Sequence, residues 1–533
     1  MSCLSLIYVG RLDGPFVFDD VAGIEQNKSL ESLATALTAP PNTPPAGRPI
    51  SNLSLAMTRL IAGPTPGAQH RVNLLLHCLV SLFALAALRR MLRLDRMPGW
   101  IRERADGIAF AAALLFAAHP IAVETVLYAV QRTELCLALC YVVMFYAGLR
   151  AAEAHASGGS GVGVWYGAAW LACLLGMGSK EVMVTAPVLF LFLDRAFLSG
   201  SFREALRQRG RLYLGLAACY LPLLALQLTS PRGESTSGFD PLYFALQGEF
   251  VAEYLGRAIW PTSNVLDYGR LFPGRAAPML LPGLATLVLV LGCLVLTFTH
   301  PRAGFAGAWL FGILAPSSSF VTISTEVGAD RRMYLPLLAV ITVGVLLCVA
   351  MARLLTGGWS PKRRRVLLAT LLAMAVLGLG LRSRHQTLQF ASTLAFWQHA
   401  AEQAPENPRA HYNLGEAYQR EGRLTQAITH YRRTTQLYPE HSAALSNLGI
   451  VLSLSGRLEE AIATLRRAVA TEPDSAWLRY NLALAAQRAG RREEALAQLE
   501  TVLELDPEPS LPQLHAAARA LRAQIQATGV IDN

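Results

Sequence analysis

The chain of 533 residues is 53% hydrophobic and only 16% charged, a balance that excludes an ordinary soluble multidomain protein of this length. Its formal charge of +10 does not point to nucleic acid, because the basic residues crowd into a few short loops between apolar runs with few aromatics among them. The eight cysteines lie within or beside apolar segments and offer neither a disulfide framework nor a zinc spacing.

In chain order, residues 1–10 are apolar but too short to cross about 30 Å of hydrocarbon, and read as the end of a first span. Apolar runs of spanning length follow near 71–88, 107–127, 135–152, 162–178, 182–198, 211–229, 278–298, 303–321, 333–353 and 366–381, about 10–11 spans with the first. Positively charged loops mark the cytoplasmic side. Three qualify: residues 89–104 with six arginines, 203–211 with four, and 353–365 with five basic residues. The segment 242–260, with Glu249, Glu253 and Arg257, is the ambiguous one, since counting it as a span would put the last basic loop opposite the other two. It therefore reads as part of an external loop, 230–277, with interfacial helices. The loop 11–70 and everything beyond the last span then fall on that same outer side.

Beyond residue 382 the chain turns polar and a period of 34 residues sets in. Asn413-Leu414-Gly415 recurs as Asn447-Leu448-Gly449 and Asn481-Leu482-Ala483, with Gly422, Gly456 and Gly490, then Ala427, Ala461 and Ala495, then Pro439, Pro473 and Pro507 in step. This is the tetratricopeptide signature of paired helices stacking into a solenoid. The expected organisation is a multi-span membrane domain at 1–385, a connecting partial repeat at 386–407, three repeats at 408–509, and a capping helix with tail at 510–533. The fold class is all-α. Asn413, Asn447 and Asn481 would project along the concave face, where such solenoids bind peptide.

Polar clusters in the membrane domain fall at the outer ends of the spans. They are Phe16-Val17-Phe18-Asp19-Asp20, Gly47-Arg48-Pro49, His70-Arg71-Val72-Asn73 with His77, and His119-Pro120 leading to Glu124. Gln131-Arg132-Thr133-Glu134, Ser179-Lys180-Glu181, Leu266-Asp267-Tyr268 and Asp330-Arg331-Arg332-Met333-Tyr334-Leu335-Pro336 follow. Charged groups beside hydrocarbon are costly unless they serve a site, and their gathering at one membrane face reads as one. The ordered set, ending in the repeats, resembles the transmembrane and tetratricopeptide-repeat O-mannosyltransferase family and its bacterial relatives, of the C-type glycosyltransferase fold. Gly47 stands where the family leads one to expect an aromatic, and Asp330 where it leads one to expect glutamate.

That resemblance implies transfer of a hexose, mannose in the family, from a polyprenyl-phosphate carrier to Ser/Thr hydroxyls of exported proteins. It implies a bacterial inner membrane with the site facing the periplasm, or the endoplasmic-reticulum membrane and lumen in a eukaryote. Asp19 or Asp20 would be the base, with Asp20 the preferred of the two. Transfer also needs cations on the departing phosphate: Arg331 and Arg332 first, since guanidinium binds phosphate at two points, then Lys180, Arg48 and Arg132. Glu124, Glu134, Glu181 and Tyr334 are candidates for sugar or acceptor contact, and His119 for a structural hydrogen bond. No metal or other cofactor is called for, although paired acids can hold a divalent ion. Two rivals stand beside the enzyme: a membrane-anchored repeat scaffold for envelope proteins, and an enzyme whose acceptor is a lipid or surface glycan.

Overall fold

The computed structural model describes residues 2–41, 43–158, 161–229, 241–262, 267–269, 280–318, 327–505 and 512–528. Every regular element among them is helical. The chain divides into two compact units, Met1–Thr393 and Leu394–Asn533.

In the first unit the helices begin where the sequence supplies stop and start signals. Pro66–Leu92 starts behind Thr65, whose hydroxyl accepts from Ala68 N, with proline at its first position. Pro361–Gln386 starts the same way behind Ser360. Pro49–Ala62 ends at Gly63, whose φ of +89° is a conformation glycine takes readily. Among the described residues seven helices are long and apolar enough to cross a membrane, or eight when Ala105–Ala118 and Ile121–Leu127 count as one span bent by 58°. The bend falls at His119-Pro120, because proline lacks an N–H and holds the residue before it in extended backbone.

Two of the expected spans are helices that miss that standard: Val162–Met177 has only 16 residues, and Pro301–Ser318 is less apolar with Pro316 inside it. The segment set aside as interfacial forms the helix Pro241–Ile259, which is not among the helices apolar enough to cross. It packs beside Leu280–Thr299 and is pinned to the next outer segment by Gln247, whose amide donates to Val327 O at 2.9 Å. The rest of the expected 230–277 loop lies largely outside the described residues. The short helix Ser2–Tyr8 rests against Pro361–Gln386, where Arg384 donates to the carbonyls of Leu6, Ile7 and Val9, satisfying a helix end.

The second unit repeats a two-helix hairpin: Pro408–Arg420 with Leu424–Leu437, Ser442–Leu454 with Leu458–Thr471, and Ala476–Arg488 with Arg492–Leu505. The hairpins turn at Gly422, Gly456 and Gly490, all with φ between +72° and +78°. Small residues set the spacing of the paired helices: a Cβ on Gly449 would come 2.4 Å from Leu465, and one on Gly415 2.8 Å from the Tyr431 ring. The final helix, Pro512–Thr528, buries Ala518, Leu521 and Ile525 against Leu499 and Val502, closing the apolar end of the array.

Candidate functional site

The acid pair is split by the residue before it. Phe18 holds a φ of +51°, in the left-handed region that non-glycine residues rarely adopt, and its ring stacks on Tyr128 at 6.3 Å. Past this turn Asp20 points inward and is fully buried. Its Oδ1 accepts from Val130 N at 2.7 Å, and its Oδ2 from Val17 N at 3.2 Å and Ala129 N at 3.3 Å. Burial pushes the Asp20 carboxyl up to about 8, against these backbone donors, which pull it down. Asp19 is half-buried, and its N–H donates to the Tyr128 hydroxyl at 3.2 Å. The two neighbours thus face different surroundings: Asp20 ties the acidic loop to residues 129–130, whereas Asp19 is only half-buried.

Tyr128 carries the site onward, for the Arg331 guanidinium lies over its ring at 5.6 Å. Arg331 Nη1 donates to the fully buried Glu124 at 2.8 Å. Two further cation–carboxylate pairs complete the group: Lys180 with Glu134, and Arg48 with Glu181 at 3.3 Å. Burial pulls the Lys180 ammonium down to about 8; Glu134 holds it up, while the positive charges of Arg48 and Arg331 pull it further down. Lys180 thus lies within electrostatic range of both Arg48 and Arg331. Their side chains are 18% exposed at Arg48, 14% at Lys180 and 7% at Arg331, so Arg331 is the most enclosed of the three.

Other expectations require correction. Arg132 does not face a phosphate: it is fully buried, its Nε is bonded to Asn73, and its Nη atoms donate to Ser54 O, Ser54 Oγ, Thr58 Oγ1, Gln69 O and Gln69 Oε1 between 2.9 and 3.2 Å. Every donor is used on a neutral oxygen, so Arg132 ties the start of its own helix, Arg132–Ala156, to the middle of Pro49–Ala62 and the first turns of Pro66–Leu92. Tyr334 is likewise not a sugar contact, being 1% exposed, with its hydroxyl 2.7 Å from His77 Nδ1 and its ring against Phe116. Glu124 and Glu134 serve their cations and are themselves buried; of the three glutamates only Glu181, 30% exposed, could meet a sugar. Arg332 donates to Val327 O at 3.1 Å. His119 takes the structural position expected of it, between Ile121 N and Ala258 O.

Asp330 docks the helix Pro241–Ile259 rather than a substrate, accepting from Arg257 at 3.1 Å and Tyr268 at 2.7 Å. Tyr128 and the docking role of Arg257 carry little signal in the sequence; for Arg257 it is only the recurrence of charge at Glu249, Glu253 and Arg257 on one face of a half-apolar helix. Among the described residues no three His, Cys, Asp or Glu side chains form a group able to hold a metal ion. In the repeat unit, Asn447 donates to the Tyr412 hydroxyl at 3.2 Å and Asn481 to Ser446 Oγ at 3.1 Å, each in the preceding repeat. Asn413 donates to Arg409 O at 2.8 Å in its own helix.

Comparison with known proteins locates the repeats in the second unit and finds relatives that share part of the chain. Family models described as tetratricopeptide repeat match residues 406–472 and 452–525. The chain is 27% identical over 258 residues to the protein O-mannosyl-transferase Tmtc2 of Drosophila melanogaster, covering 45% of this chain and 26% of that one. It is 30% identical over 171 residues to protein O-mannosyl-transferase TMTC1 of Homo sapiens, covering 30% and 18%. It is also 30% identical over 165 residues to Tmtc3 of Drosophila melanogaster, covering 27% and 18%. The chain thus matches about a quarter or less of the length of these relatives. A thermophilic tetratricopeptide-repeat protein of Thermus thermophilus matches 29% of this chain and 93% of its own at 24% identity, with a TM-score of 0.22, too low to compare folds.

Proposed function

We propose that this relative of the transmembrane and tetratricopeptide-repeat O-mannosyltransferases is a membrane glycosyltransferase. It moves a hexose, mannose by likeness to its relatives, from a polyprenyl-phosphate carrier to Ser/Thr hydroxyls of exported proteins. The observation that carries the reading is the bridge through Tyr128, which brings a half-buried carboxylate, Asp19, beside a buried guanidinium, Arg331. Arg48 and Lys180 join Arg331 in the same electrostatic group.

In the proposed reaction the acceptor hydroxyl oxygen attacks the anomeric carbon while Asp19 takes its proton. The bond from that carbon to the phosphate oxygen breaks, its electron pair stays on the phosphate, and the configuration inverts. Arg48 and Lys180, the more accessible cations, offset the charge that develops on the leaving phosphate, with Arg331 held behind them by Glu124. Asp20 holds the loop that aims Asp19. Glu181 is the carboxylate left exposed enough to bond the sugar. The repeats take the acceptor chain: no hydrogen bond reaches Oδ1 of Asn413, Asn447 or Asn481 among the described residues, so three acceptors remain for peptide N–H groups. The site and repeats are proposed to face the periplasm of a bacterial inner membrane.

The test is reconstitution of the purified chain with polyprenyl-phosphate mannose and candidate exported proteins, read by mass spectrometry for added hexose. Hexose on Ser or Thr supports the reading. Its absence in a folded preparation offered several donors would overturn it. Transfer surviving removal of residues 394–533 would instead favour a lipid or glycan acceptor.

A further inference from the structure

The end of the membrane unit away from Asp19 is built differently. On the helix Pro66–Leu92, Asn73 belongs to the Arg132 knot, while Leu88 lines an apolar cavity of about 240 Å³. The two residues stand about 22 Å apart at 1.5 Å per residue, so the cavity and the candidate active site are separate. Met97, Phe145, Phe197, Phe305 and Trp309 contribute to its wall. The polar groups of the wall are largely satisfied from within: Thr342 donates to Leu338 O at 2.6 Å, and the Trp309 indole N–H to Leu335 O at 3.2 Å. Arg302 is the exception, exposed at the first turn of Pro301–Ser318 and making a single hydrogen bond, to Arg96 O at 2.7 Å.

Arg302 does not stand alone. Arg96 donates to Ser199 O at 3.2 Å, and Arg195 to Thr297 O and Phe298 O at 2.8 Å. Among the described residues none of these three arginines is in an ion pair. Their neighbours are: Arg89 and Arg93 share Asp106, Arg90 takes Glu153, and Arg102 takes Asp95. The hydrogen bonds of all three guanidiniums go to neutral main-chain carbonyls, Arg195 lying also over the Phe202 and Phe298 rings at 4.8 and 5.5 Å, so among the described residues none has its charge offset by a carboxylate, and Arg302 lines an apolar cavity.

We infer that this cavity holds one acyl chain of an anionic glycerophospholipid from the leaflet on the arginine-rich side, with the lipid phosphate on Arg302. An apolar cavity of about 150 Å³ is enough to take benzene, so this one accommodates a segment of hydrocarbon chain. Basic pockets between spans at the inner face of a membrane select anionic headgroups, and the arginine-rich loops place this one at that face. The polyprenyl donor is the less fitting occupant, because its phosphate is needed at the distant Asp19 end. Only that choice between occupants rests on the proposed transfer reaction; the cavity and the charge beside it do not.

The test is native mass spectrometry of the full chain in mild detergent, titrated with phosphatidylglycerol and phosphatidylcholine of identical chains. One phosphatidylglycerol should be retained about fivefold more strongly than phosphatidylcholine, the effect of one arginine at the membrane surface. Arg302→Glu should bring the two lipids to parity, and Ala306→Phe, which fills the cavity, should abolish both adducts. Arg302 is exposed, so its variant tests the inference even if Ala306→Phe fails to fold. Equal retention of the two lipids by the unaltered chain, a preference that survives Arg302→Glu, or stronger retention of polyprenyl phosphate than of phosphatidylglycerol would each overturn it.

Discussion

The two units satisfy their polar groups over different distances along the chain. In the repeats, Asn481 reaches Ser446, Asn447 reaches Tyr412, and Arg466 reaches Glu494, each close to one repeat period away. In the membrane unit, Asp20 reaches Val130, Arg48 reaches Glu181, and Arg331 reaches Glu124. A solenoid is held by neighbours and can be read one period at a time. A membrane site is held by residues that no local rule connects, and removing one strands partners far along the chain.

The sharpest way to break that contrast is Arg132→Met. It leaves the oxygens of Ser54, Thr58, Gln69 and Asn73 buried without their donor, so a loss on the order of 3 kcal/mol or more is expected, each unsatisfied group costing about 1–3 kcal/mol. Thermal unfolding in detergent checks it; an unchanged midpoint would mean the knot holds nothing. Next comes Asp19→Asn, expected to lower hexose transfer by about 100-fold or more while leaving the unfolding midpoint in place.

Asp20→Asn should do the reverse in kind. Its amide would set an NH₂ against backbone N–H donors and cost about 1–3 kcal/mol of stability. The same carboxyl gives a pH signature. With its folded value raised from 3.8 to about 8, the protonated form favours the fold; that contribution is complete below about 3.8 and disappears as pH rises through about 8. Stability of the unaltered chain should decline across that window, and Asp20→Asn should flatten the decline, as followed by unfolding midpoints from pH 4 to 9.

In the repeats the expected effects are smaller and stay local. Gly449→Val drives side-chain atoms into Leu465 and should cost about 1–3 kcal/mol, with faster hydrogen exchange confined to the hairpin of Ser442–Leu454 and Leu458–Thr471 and its neighbours. Asn447→Ala removes a hydrogen bond to Tyr412 worth about 1 kcal/mol and should weaken acceptor-peptide binding without touching the membrane unit. Exchange that spread through the membrane helices in either variant would blur the distinction between the units.

Legibility in the sequence follows the same divide. The repeats announce themselves, because a small residue, a turn glycine and a packing alanine recur at one period, and each does in the structure what its chemistry suggests. In the membrane unit, charge at the ends of apolar runs was enough to select Arg48, Lys180, Arg331, Glu124, Glu134 and Glu181, because few charges are tolerated there without a partner. It was not enough to tell who pairs with whom. Arg132 and Tyr334 look like site residues in the sequence for the same reason that Arg331 does. Only the folded chain reveals that Arg132 gives its donors to Ser54, Thr58, Gln69 and Asn73, and that the Tyr334 hydroxyl belongs to His77. Tyr128 went unmarked because a tyrosine after an apolar stretch has an ordinary role as an interfacial anchor.

The left-handed turn at Phe18 makes the adjacent aspartates answer to separate constraints. At position 20 an added methylene has nowhere to go, since three amides already close on the carboxylate; position 19 is only half-buried. Substitution at the two positions should therefore have separate consequences across related chains, read in transfer at the first and in stability at the second. A search that treats the doublet as one acidic motif joins a reactive group to a fastener and would score the loss of either as the same event.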